Sequence, residues 1–140
     1  MAGEKAKIKV LTIQEANALL PQVRLSLNTL RELKSAILRL QAQIEIEELT
    51  GSEPDGKLGF AAQVAIKHEM ESIHLQTQAF EKQLELLFQL GAHLKDLDQG
   101  LVDFYGRRGP DVVFLCWKEG ESEVKHWHGL QGGFSSRQPI

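Results

Sequence analysis

A single cysteine in 140 residues leaves no possibility of an internal disulfide, so Cys116 cannot staple the fold. Aromatic residues make up only 6% of the chain. No apolar run approaches the roughly 18 residues that a membrane-spanning helix needs, and the opening MAGEKAKIKVLT lacks the apolar segment of a secretory signal. These absences predict a soluble, cytoplasmic protein with no membrane contact. Neither charge sign dominates: 16 Lys and Arg stand against 19 Asp and Glu, for a net charge of -3. The basic residues alternate with glutamates instead of gathering on one stripe, which disfavours nucleic-acid binding despite the adjacent Arg107 and Arg108. The glycines form neither a G-x-G-x-x-G nor a P-loop pattern, so a phosphate cradle has no support.

What is present is helical periodicity followed by a change of period. A length of 140 residues fits a single domain over 1–140, with a helical hairpin at 12–91 and a β-module at 92–140. Ile8 to Leu11 is a short apolar run suited to an edge strand. Thr12-Ile-Gln-Glu15 has the form of a capping box, in which the Thr hydroxyl and the Glu carboxylate each satisfy a free N–H at a helix start. Pro21 falls inside the pattern and predicts a kink, or a short helix ending near Leu20. Ala16, Val23, Leu30, Ile37 and Ile44 recur every seventh residue, with Leu19, Leu33 and Leu40 beside them and Leu20 and Leu27 widening the line, as in a coiled-coil seam. Gly51, Pro54, Gly56 and Gly59 stop that helix near Leu49. A second helix from about Phe60 to Leu90 carries the seam Ile66, Met70, Ile73, Thr77, Phe80, Leu84 and Leu87, and Gly91 is placed to cap it. A short connection makes the pair antiparallel. Two long helices rarely bury both seams between themselves, which predicts a homodimer.

After Gly91 the residues predict strands at 101–105, 112–118 and 123–128. The fold class is therefore α+β: a long antiparallel two-helix hairpin with a small antiparallel sheet of three to four strands. A two-residue turn at Gly120-Glu121 would pair Trp117 with Val124, Leu115 with His126 and Val113 with His128. In that register Cys116 lies on the face opposite both histidines.

The module holds the candidate site residues. His126 and His128 alternate along a strand and so share a face, a geometry that could ligate a metal with Asp96, Asp98 or Asp103 completing the set. The plainer reading is a Trp-His pair packing across the sheet. Cys116, mid-strand between Leu115 and Trp117, reads as a small buried hydrophobe before it reads as a nucleophile. The acidic run Asp96, Asp98 and Asp103 reads as loop chemistry in preference to a magnesium site, since it lacks EF-hand spacing. Arg137 is placed to bridge back to Asp98 or Asp103. His68 and His74, six residues apart, do not share a helix face. A ligand pocket at the junction of helices and sheet would be lined by Asp98, Asp103, Trp117, Trp127, His128 and Arg137, with His126 and His128 as metal ligands.

Five ordered motifs carry a resemblance: T-x-x-E-A-N-x-L-L-P (Thr12 to Pro21), L-K-D-L-D-x-G-L-V-D-F (Leu94 to Phe104), L-C-W (Leu115 to Trp117), W-H (Trp127 and His128) and G-F-x-x-R-Q-P (Gly133 to Pro139). The chain resembles, over essentially its whole length, the bacterial family known as domain of unknown function 2203. The resemblance implies no activity and no site residue. Tyr105 stands where that family commonly has proline, and Gly129 and Gln131 where it commonly has acidic residues. The function this predicts is a non-enzymatic interaction or scaffold protein, homo-oligomeric through its hairpin and without a cofactor. The alternative is a small-ligand- or metal-binding protein, or a metal-dependent enzyme.

Overall fold

The computed structural model describes residues 8–140. Two helices, α1 (Ile13–Thr50) and α2 (Phe60–Leu90), precede five strands: β1 (Ala92–Asp96), β2 (Leu101–Arg108), β3 (Asp111–Lys118), β4 (His126–His128) and β5 (Gln138–Pro139). The strands form one antiparallel sheet in chain order. The fold is α+β, with a helical hairpin and five strands where three to four were expected. Two compact units divide it: Leu30–Lys82, and the remainder, which joins Gln83–Ile140 to the start of the chain through Thr29.

In the sheet-containing unit, α1 starts where the capping box places it. The Thr12 N–H donates to Glu15 Oε1 at 2.9 Å, and the Glu15 N–H donates to Thr12 Oγ1 at 3.1 Å. The helix does not end at Leu20 but continues across Pro21. Leu20 and Val23, on either side of the proline, are both buried, and that packing outweighs the one missing backbone bond. Ala16, Leu20, Val23 and Leu27, all expected along the seam, form the buried line of this segment, while Leu19 is half-buried. Asn17 Oδ1 accepts the Val124 N–H at 2.6 Å, and the Arg24 guanidinium lies over the Trp117 ring at 5.4 Å. These contacts seat the start of α1 on the sheet face that carries Val102, Phe104, Leu115 and Trp117, all buried.

The expected strand at Ile8–Leu11 reduces to one parallel bridge, Val10 with Tyr105, beside a Leu11 N–H to Tyr105 carbonyl bond of 2.7 Å. At the far end of α2, Gly91 has φ +103°, and its N–H donates to the Phe88 carbonyl at 3.0 Å, the left-handed cap the sequence predicts.

The second unit is the closed end of the hairpin, Leu30–Lys82, turned by residues 51–59. There Ser52 bridges Leu58, and Gly56 adopts φ +85°. Of residues 30–82 only Leu30 and Ala62 are buried. The other seam residues, among them Leu33, Ile37, Leu40, Ile44, Ile66, Ile73 and Phe80, are half-buried. Met70, expected in the seam, is 59% exposed. The less exposed line of α2 instead passes through Glu69 and Gln76.

Candidate functional site

The sheet's second face holds the polar residues. In β2 it carries Leu101, Asp103 and Tyr105, because alternate residues of a strand share a side. The β2–β3 register sets Asp103 against Cys116 and Tyr105 against Phe114. The β3–β4 register sets Cys116 against His126 and Phe114 against His128. That register is one residue away from the pairing a tight Gly120-Glu121 turn would produce. Cys116 therefore lies on the same face as both histidines, not opposite them.

Residues 119–125 explain the shift. They form a loop held by Glu121 in place of a two-residue turn. The Glu121 carbonyl accepts from Trp117 Nε1 at 3.0 Å, and its carboxylate accepts the Lys118 N–H at 2.7 Å. Arg137 Nη1 donates to the same carboxylate at 3.1 Å. Burial alone would raise the Glu121 carboxyl, but Arg137, the Lys118 N–H and nearby His126 together hold it below the usual carboxylate range. Arg137 thus pairs with Glu121 and not with Asp98 or Asp103.

The shared face brings together Asp103, Cys116 and His128, which are 4%, 2% and 2% exposed. One donor atom from each lies within 4.8 Å of the others. His128 Nε2 is 3.0 Å from Asp103 Oδ2, and its Nδ1 is 2.9 Å from the Gly129 carbonyl. A carbonyl only accepts, so Nδ1 carries a proton and Nε2 is the nitrogen turned into the cluster. Burial pushes the Cys116 thiol up to about 11, with the Asp103 carboxylate adding to the shift and Arg137 opposing it. A thiol held that far in its neutral form is no nucleophile at neutral pH. Both imidazole nitrogens of His128 are also committed to oxygens, so no base is aimed at the sulfur.

Aromatic rings border the cluster. His93, paired with Asp103 across the β1–β2 ladder, meets Tyr105 edge-on at 4.8 Å, and Phe114 lies 5.3 Å from the His128 ring. Burial, helped by Lys95 and opposed by Asp103, lowers the pKa of His93 and favours its neutral form.

The other residues expected at the site lie elsewhere. Trp117 is fully buried on the opposite face, and Trp127 shares that face with the Arg108 guanidinium 4.4 Å above its ring. Asp98 is exposed in the turn between β1 and β2. In the same turn Asp96 accepts the Gln99 N–H at 3.0 Å, which is the loop chemistry expected there. His126 Nδ1 comes within 3.4 Å of Glu121 Oε2 yet has no hydrogen-bond partner, so the two are charge neighbours without a well-aimed bond. Of the His126/His128 pair only His128 joins the cluster. Cys116 was the missing member, hidden by the register.

The profile described as "Uncharacterized conserved protein (DUF2203)" matches residues 9–140. The chain belongs to that family. No curated protein and no solved structure matches it. The DUF2203 profile begins just before the capping box and runs to the end of the chain, so it takes in the helices, the sheet and the Asp103/Cys116/His128 cluster alike.

Proposed function

We propose that this protein is a non-enzymatic interaction protein that assembles as a homodimer through its helical hairpin. The observation carrying this reading is the exposed apolar surface of residues 58–75. Leu58, Ile66, Met70 and Leu75 line a shallow groove of about 670 Å³ together with Gln63, Lys67, Glu71 and His74. Met70 and Leu75 are 59% and 65% exposed. Covering what remains exposed of two such side chains is worth roughly 1–2 kcal/mol each.

The charges favour a second copy as the occupant. Lys67 and Glu71 are one helical turn apart on α2 and flank the groove. Under a two-fold axis that lays α2 antiparallel to its counterpart, each Lys67 meets a Glu71, so the surface complements itself. The hairpin's small core supports the same reading, since only Leu30 and Ala62 of residues 30–82 are buried.

Light scattering on the purified chain tests this. The expected mass at micromolar concentration is twice the 15.7 kDa of one chain. A monomer that persists as concentration rises through that range would overturn the proposal.

A further inference from the structure

We infer that Asp103, Cys116 and His128 form a binding site for a single divalent transition-metal ion of the zinc type. The three residues come from three adjacent strands and supply one carboxylate oxygen, one sulfur and one imidazole nitrogen, each less than 5% exposed. This donor set suits zinc, which takes Cys, His and Asp together in tetrahedral sites.

Orientation supports the assignment as strongly as composition. The Gly129 carbonyl holds His128 Nδ1–H at 2.9 Å, which leaves Nε2, the nitrogen 3.0 Å from Asp103 Oδ2, as the ligand atom. A backbone carbonyl on the far nitrogen is the usual second partner of a metal-ligating histidine. The donor atoms lie within 4.8 Å of one another, and His128 Nε2 to Asp103 Oδ2 is 3.0 Å. Tetrahedral ligation at ordinary zinc bond lengths needs separations of about 3.3–3.6 Å. A separation at the 4.8 Å limit would have to close by about 1.2–1.5 Å, shared between two side chains.

Charge balances as well. Thiolate and carboxylate together contribute two negative charges to a doubly positive ion, while the neighbouring Arg137 is already matched by Glu121 at 3.1 Å. Binding exchanges protons for metal. The Cys116 S–H proton and the proton lying between His128 Nε2 and Asp103 pass to solvent as the sulfur–metal and nitrogen–metal bonds form. Three protein ligands leave a fourth position for water. Burying a carboxylate, an imidazole and a thiol side by side is costly in a sheet this small, and an ion that all three can bind offsets that cost.

Cobalt(II) titration of chelator-treated protein tests this, because a thiolate bound to cobalt gives a near-ultraviolet charge-transfer band. Cys116 is the only cysteine, so any such band reports on it alone. The expected result is saturation at one cobalt per chain, displacement by zinc, and at least tenfold weaker binding in a folded D103N variant. Absence of the band in the folded wild-type protein would overturn the assignment, as would cobalt affinity unchanged by D103N. Should D103N fail to fold, the wild-type titration decides alone.

Discussion

At Cys116 the local chemistry is set by burial first and by the Asp103 carboxylate second, and both hold the proton on sulfur. Alkylation proceeds through the thiolate. At pH 8 a thiol of pKa about 11 contains roughly a hundredfold less thiolate than one at the ordinary value of 9.0. The metal-free native protein should therefore react with iodoacetamide about a hundredfold more slowly than the unfolded chain. Equal rates would show that the sulfur is exposed. The same shift has a consequence for stability. A thiol whose pKa is raised on folding stabilises the native state below its unfolded value, and that contribution is lost as pH climbs from about 9 towards about 11. The sequence predicts Cys116 as a small buried hydrophobe, and its burial agrees. Its neighbours were not legible. Glu-Gly-Glu-Ser reads as a tight turn, and nothing in those four letters announces that Glu121 will bond Trp117, Lys118 and Arg137 and lengthen the connection. One residue of slip moved Cys116 across the sheet.

At the scale of elements, the helices were the most legible part, because each boundary has a local cause. Thr12 and Glu15 close the capping box, Gly91 supplies the left-handed cap, and the glycines of 51–59 end one helix before the next begins. Thr12→Ala removes one side-chain acceptor at the start of α1 and should cost about 1 kcal/mol, read as a lower denaturant midpoint with unchanged slope. No change would mean that packing of Ala16 and Leu20 alone sets the start of the helix. Pro21 shows where local rules give way: proline opposes a helix interior, but the buried side chains around it belong to a sheet contact that only the folded chain reveals. β1 and β5 escaped prediction for a related reason. Ala92–Asp96 sits beside turn-forming residues, and Gln138–Pro139 is only two residues long, so neither carries a period-two pattern strong enough to read.

At the scale of the whole molecule, the sequence and the structure make separate points about the hairpin. Heptad spacing predicts apolar seams, and residues 30–82 do place them along the two helices, yet with only Leu30 and Ala62 buried. Met70 lies outside the seam because the less exposed line of α2 runs through Glu69, a polar residue that a search for apolar periodicity passes over. The apolar residues left outside, Met70 and Leu75 above all, are what the proposed dimer covers. The most direct measurement is sedimentation equilibrium of the wild-type chain beside M70E and L75E, with helicity followed by circular dichroism. Both side chains are exposed, so neither change should disturb the fold of a single chain. The predicted result is a wild-type dimer, with both variants reduced to monomers of unchanged helicity; equal masses for all three proteins would contradict the account.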